Sequence, residues 1–385
     1  VRPGPSFPRR PLLLAPLALA ACSSPAPDVR DALAARARAL SAGDLDAAAA
    51  GYAAPDREAV RRTDARAAAA GLADWAVEGP RVVGGEVRGL LRVRVAGEGR
   101  AVAGDFRAGW DGALHLPAGA PGAAGTPQPW DLGDVTAQRT DGGVVLHVGG
   151  VGEVGEVGEV GRQVAADLAG ATARVDAAWG TGWPRGTAVV VVPTAADVSR
   201  FTGAAADLDA VAVGLDAALA DGRPAGVRVV LSTERFAALS PLGRTITLTH
   251  ELVHVATRAT ARPAGAVVPR WLTEGYADHV ARLHRDVPAT ALAAALLTDP
   301  GPPRVPADDD FTDPARAQLA YAAAWTLVTS AARVSGTPAV TALVRAVWTG
   351  TPLPDACPQT LGRPLDDVVA TWRADVAADL VGWGS

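Results

Sequence analysis

His250-Glu251-Leu252-Val253-His254 is the densest concentration of chemistry in the chain. Two histidines four residues apart fall on one face of a helix, so both imidazoles can reach a single metal ion. Glu251 stands beside them and can draw a proton from water at the metal. Glu274 follows His254 after 19 intervening residues, within Trp271-Leu272-Thr273-Glu274-Gly275, and offers a carboxylate as a third ligand. Two His and one Glu leave the fourth position of a tetrahedral Zn²⁺ open, which separates a catalytic zinc site from a structural one. One zinc ion is therefore the expected cofactor.

These residues need a rigid helix. Ser240 reads as its N-cap and Pro241 as its first residue, a position where a missing N–H costs nothing. The helix should run to about Thr260, with Pro263 and Gly265 beyond it. Ile246, Leu252, Val253 and Val255 supply apolar packing around the polar triplet. Burial there strengthens every charge interaction in the site. A second helix should carry Glu274 and Asp278, which share one face. His279 is rotated by about 100° from Asp278 and reads as a packing or surface residue. His284 is expected in the last turn of that helix, near its negative end. His115 and His147 lie far upstream and read as structural. An oxyanion needs a hydrogen-bond donor, and the tyrosines available are Tyr52, Tyr276 and Tyr321.

A zincin with a third histidine would need His at position 260 and Gly at 257, where this chain has Thr260 and Thr257. The stretches Thr249-His250-Glu251-Leu252-Val253-His254 and Pro269-Arg270-Trp271-Leu272-Thr273-Glu274-Gly275-Tyr276-Ala277-Asp278 resemble the gluzincin peptidases. That family includes thermolysin and the zinc aminopeptidases. The likeness is greatest to the peptidase MA-like domains of actinobacterial lipoproteins, and it covers roughly Asp131 to the C-terminus. It implies His250, His254 and Glu274 as zinc ligands and Glu251 as general base. It also implies that Asp278 hydrogen-bonds a ligand histidine and fixes its tautomer. The run from Tyr321 to Gly336 resembles the aminopeptidase helix that opens on a catalytic tyrosine, which nominates Tyr321 as oxyanion donor. Those aminopeptidases hold the substrate amine with a G-x-M-E-N segment. This chain has neither Met nor Asn, so the expectation is an endopeptidase acting on a peptide or protein substrate.

The N-terminus suggests where such a site would work. Arg2, Arg9 and Arg10 precede a short apolar run over residues 11–21, and Leu19-Ala20-Ala21-Cys22 matches a lipobox. Residues 1–22 resemble a bacterial lipoprotein signal, which implies a lipidated Cys22, membrane anchoring and an extracytoplasmic location. Val1 reads as a non-AUG start codon. With Cys22 lipidated, Cys357 would lack a disulfide partner, and its Pro-rich surroundings read as a loop.

Upstream of the peptidase-like part the expected organisation is a tether over 23–30, an α+β domain over 31–117 and a Pro/Gly/Ala-rich linker over 118–130. Residues 28–73 have helical texture broken at Ser41-Ala42-Gly43-Asp44. Alternation begins near Trp75, with strands over 82–95 and 101–110. Helices followed by a meander resemble the cone-shaped nuclear transport factor 2-like domains. Within 131–385 a hairpin is expected at 135–148, helices at 162–179 and 197–201, and strands at 187–192, 210–215 and 227–231. The last strand, being nearest to the metal helix, is the expected free edge for binding an extended peptide. The three-residue repeat over 151–161 reads as a connecting segment without a function.

The fold class is therefore α+β, with a small N-terminal domain and a zincin-like domain that has a mixed sheet and a helical C-terminal part. The chain has 49% hydrophobic and 20% charged residues, so it is globular rather than disordered. A net charge of -5 without a basic stretch gives no support to nucleic-acid binding. The absence of Met, Lys and Asn fits a GC-rich coding sequence and carries no function. The alternative to an enzyme is a catalytically silent, cell-surface binding or scaffold lipoprotein with a peptidase-like domain.

Overall fold

A computed structural model describes residues 28–117, 124–149, 156–202, 210–213, 219–220, 222–284, 288–299, 301–378, 380 and 383. Cys22, the signal-like segment and the residues just after it lie outside these. The fold is α+β.

The N-terminal part opens with three helices, α1 (Val29–Ala42), α2 (Leu45–Ala50) and α3 (Arg57–Ala69). Gly43 ends α1 in the left-handed conformation at φ 72, and Asp44 caps α2, so the expected break falls where those residues place it. An antiparallel meander follows, with β1 (Leu72–Val83), β2 (Glu86–Val95), β3 (Val102–Trp110) and β4 (Leu114–His115). Strand β1 begins at Leu72, ahead of the change in texture at Trp75. A two-residue strand, β5 (Ala124–Gly125), pairs with β3, and a short helix, α4 (Pro129–Leu132), leads into the second part.

The second sheet holds β6 (Val135–Thr140), β7 (Gly143–Val148), β8 (Thr187–Val192), β9 (Ala210–Val213) and β10 (Arg228–Ser232). Its order is β6-β7-β8-β10-β9, parallel in the middle and antiparallel at both ends. Strand β10 is thus an interior strand. The expectation that residues 227–231 form the free edge is wrong, because β9 folds back antiparallel and covers that side. Proximity in sequence to the metal helix did not mean an open edge.

Helix α5 (Glu156–Trp179) connects β7 to β8. It starts six residues before the expected position, inside the three-residue repeat, so the end of that repeat is helix rather than connector. Gly161 lies where a Cβ would meet the His147 ring at 1.8 Å, so the repeat's glycine permits the helix to lie against β7. Helix α6 (Ala195–Thr202) follows β8, and α7 (Thr233–Ala237) leads from β10 to the metal helix α8 (Pro241–Arg258). Ser240 caps α8 by accepting from the Gly243 N–H, and Pro241 is its first residue. Helix α9 (Arg270–Arg282) carries Glu274. Two single turns, α10 (Ala289–Leu292) and α11 (Ala294–Leu297), and a 3-10 turn at Asp308–Phe311 precede α12 (Ala317–Ser335), α13 (Thr337–Trp348), α14 (Leu353–Leu361) and α15 (Leu365–Ala377).

The second sheet is buried on both faces, as its Val-rich strands require. Val145, Val189, Val191, Val229 and Leu231 face a core built with α5, α8, α9 and α12–α15. Val144, Leu146, Ala188, Val190, Val192 and Val230 face the other way, into a core shared with the N-terminal helices and meander. The two-residue period of a strand sends alternate side chains to these separate cores.

A buried lock joins the two sheets. Glu98, in the turn between β2 and β3, accepts from Arg228 Nε at 2.6 Å and Nη2 at 3.0 Å, and from the Val95 N–H at 2.6 Å. Gln128 accepts from Arg228 Nη1 at 2.9 Å. Nearby, Arg100 donates to the carbonyl of Ala259, the C-cap of α8, at 3.0 Å.

Cys357 is a further correction. It lies fully buried in α14 rather than in a loop. Pro352 and Pro354 stand at the start of that helix, where no N–H is needed. Burial pushes the Cys357 thiol up to about 11. His284 lies past the end of α9, in the left-handed region at φ 58, so it does not belong to the last turn.

Candidate metal centre

Helices α8 and α9 pack across one another and turn His250, His254 and Glu274 toward one point. His250 Nε2 and His254 Nε2 are 3.1 Å apart. Glu274 Oε2 is 3.3 Å from the first and 3.4 Å from the second. These three edges form a nearly equilateral triangle. Ligands at about 2.0–2.1 Å from a tetrahedral centre stand roughly 3.3–3.4 Å from one another. The triangle therefore fits a metal ion with ordinary His and carboxylate bonds. Among the described residues this is the one group of three or more His, Cys, Asp or Glu able to hold a metal.

Close approach of α12 to α9 braces the carboxylate helix. Gly275, next to Glu274, lies where a Cβ would be 2.4 Å from the Ala324 carbonyl oxygen. Only a residue without a Cβ lets the two helices meet so closely.

The outer partners hold the ligands in place. His250 Nδ1 is 2.9 Å from Asp278 Oδ1. With that nitrogen donating to the carboxylate, the Nε2 lone pair faces the metal position. Asp278 also pairs with Arg282, whose guanidinium lies 5.6 Å from the Trp325 ring centroid. Burial opposes a charge on His250, but the bonds to Asp278 and Glu274 outweigh it and hold its pKa well above the usual histidine value. Burial works against the Glu274 carboxylate too, yet His254 and His250 bring its pKa well below the ordinary range. Asp278 is likewise lowered, with Arg282 and His250 overcoming burial. The pattern describes a buried cluster arranged for two carboxylates and positive charge between them.

Glu251 is buried at 8% exposure on α8, and its charge contributes to the raised pKa of His250. Tyr321 sits near the start of α12, its ring edge-on to Phe311 with centroids 5.1 Å apart. Burial and the Glu274 charge push its phenol up, while Arg270 pulls it down. Phe311, which packs on Tyr321, also lies beneath the Arg270 guanidinium that reaches Glu274. Tyr276 is fully buried, hydrogen-bonded to Thr341 at 2.8 Å and raised to about 12, mainly by burial. Tyr52 belongs to the N-terminal core.

His279 stays out of the metal cluster. Its ring nitrogens meet Thr329 Oγ1 at 3.1 Å and Thr337 Oγ1 at 3.0 Å. Burial depresses its pKa to about 4. His115 pairs with Asp111 in the N-terminal part, and His147 lies in β7.

Sequence reasoning missed Arg270 and Arg282. Each stands four residues from an acidic member of the site, so helical spacing was a usable signal. Phe311, beneath the Arg270 guanidinium at 5.2 Å, comes from a distant turn and had no such signal. Among the described residues no helix is long and apolar enough to cross a membrane. No protein-family model matches the chain, and no curated protein matches it either.

Proposed function

We propose that the chain is a zinc-dependent hydrolase of peptide bonds, held outside the cytoplasm on a membrane through a lipid on Cys22. The observation that carries the catalytic part is the His250, His254 and Glu274 triangle, with edges that suit a tetrahedral metal. The donor set favours zinc, since two imidazoles and one carboxylate are ordinary catalytic zinc ligands. Bound there, zinc would supply the Lewis acidity that polarises a carbonyl and acidifies water. Glu251 takes the proton of the attacking water and returns it to the leaving amine. Tyr321, its ring set against Phe311, donates to the developing oxyanion. Asp278 holds the His250 ring in the tautomer that ligation needs.

The absence of a recognisable amine-holding segment favours an endopeptidase over an aminopeptidase. The lipobox at Cys22 supports the location, and the gluzincin-like motifs support the reaction class.

The test is cleavage of casein or a peptide library by the purified protein, alongside its metal content. One zinc per chain and chelator-sensitive cleavage are expected. Glu251→Gln should keep the zinc and lower turnover by about 10²–10⁴-fold. Cleavage by that variant at nearly the native rate would overturn the assignment of Glu251. One bound zinc with no cleavage of any peptide would favour the silent binding lipoprotein.

A further inference from the structure

Glu274 has two oxygens, and the metal triangle uses only Oε2. The other, Oε1, lies 3.4 Å from Arg270 Nε. Arg270 is the first residue of α9, a position where its charge is opposed by the positive end of the helix dipole. Its order relative to Glu274, basic residue first, is also the less favourable one for a pair four apart. The first turn of α9 holds no acidic residue, and Pro269 provides no side-chain cap. Local helix stability therefore argues against an arginine here. A broken local rule inside a functional site points to a role in the site.

The surroundings hold that arginine in place. Its backbone N–H donates to Asp308 Oδ1 at 2.8 Å. Its guanidinium lies over the Phe311 ring at 5.2 Å, and Phe311 packs edge-on against Tyr321. Asp308 and Phe311 come from the same 3-10 turn. That turn thus fixes Arg270 at both its backbone and its side chain. Arg270 in turn touches the spare oxygen of Glu274 and acts electrostatically on Tyr321.

A carboxylate ligand with a free second oxygen can swing until both oxygens face the metal, which fills the position that substrate and water need. A cation on the second oxygen prevents this and fixes the direction of the first. We propose that Arg270 is a positioning residue of the metal centre: held by Asp308 and Phe311, it restricts Glu274 to ligation through one oxygen. The proposal rests on the zinc-hydrolase reading.

Two measurements on the full protein test it. One is zinc affinity by competition with a chromophoric chelator. The other is the visible spectrum of the Co²⁺-loaded protein, whose band intensity falls when coordination rises from four to five. Arg270→Ala should weaken zinc binding about 10- to 100-fold and dim the cobalt bands. Arg270→Lys should recover part of the affinity, since it restores the charge without the planar guanidinium. A native zinc affinity and an unchanged cobalt spectrum in Arg270→Ala would overturn the proposal while leaving the metal reading intact. A native protein that binds no zinc would overturn both. Should Arg270→Ala fail to fold, Phe311→Leu keeps the charge and removes the surface beneath it. Weaker zinc binding in that variant supports the proposal, and native affinity with a native cobalt spectrum rejects it.

Discussion

His279 shows how one buried side chain can control stability without touching the metal. It is neutral in the folded chain, because burial brings its pKa from 6.5 down to about 4. In the unfolded chain the ring protonates near its ordinary value. Between these two values the unfolded chain binds a proton that the folded chain refuses, so stability falls as pH falls. The contribution is fully present above about pH 6.5 and is lost progressively towards pH 4. Its full size is about 3 kcal/mol. Urea denaturation of His279→Gln at several pH values should give a flatter profile than the native protein over that window. Parallel profiles would mean that His279 does not control this loss. The ligand residues were legible in the sequence because helical spacing is local: His250 and His254 are four apart, as are Glu274 and Asp278. Phe311 was not legible, since its place under Arg270 depends on how a distant turn packs.

At the scale of elements, the site depends on how closely α9 and α12 approach. Gly275→Val would set side-chain atoms into the Ala324 carbonyl and against Val328. Overpacking of this kind costs about 1–3 kcal/mol. Forced apart, α9 would carry Glu274 away from His250 and His254. Chemical denaturation should show the lost stability, and chelator competition should show weaker zinc binding in the same variant. Unchanged values for both would mean the helices can relax without moving the ligand. The helix boundaries around the site were readable from caps, with Ser240 and Pro241 at the start of α8. The partner of β10 was not readable. Strand order depends on long-range pairing, and β9 returns to cover the side that sequence proximity had left open. Cys357 was misplaced for a different reason. Prolines that suggest a loop are also tolerated in the first turn of a helix, where α14 puts Pro354, and α14 carries Pro358 in its interior as well.

For the molecule as a whole, the Glu98–Arg228 pair adds a buried polar link to the core that the two sheets share. Both side chains are 3% exposed, and Gln128 accepts a further bond from the guanidinium. Glu98→Ala would leave the Arg228 charge buried without its carboxylate, at a cost of about 3–5 kcal/mol. Tryptophans report both halves, with Trp75 in the N-terminal part and Trp325 and Trp372 in the C-terminal part. The native protein should unfold in one transition by fluorescence and by circular dichroism, and the variant should do so at lower denaturant. Two separate transitions in the native protein would show that neither the lock nor the shared core couples the sheets. The amphipathic texture of each part was evident from the sequence. Their union through Glu98 and Arg228 joins residues 130 positions apart, and no local pattern announces it.

The second sheet acts as a party wall with a tenant on each side. Val189 and Val191 belong to one core, while Val190 and Val192, their neighbours in the same strand, belong to the other. A fragment that begins at residue 131 would keep His250, His254 and Glu274 and still lose the occupant of one side. Its bare valine surface would then invite self-association. The smallest unit that keeps both faces covered is therefore the pair of halves together, and an excision guided only by the His/His/Glu motif would leave one face of the sheet bare.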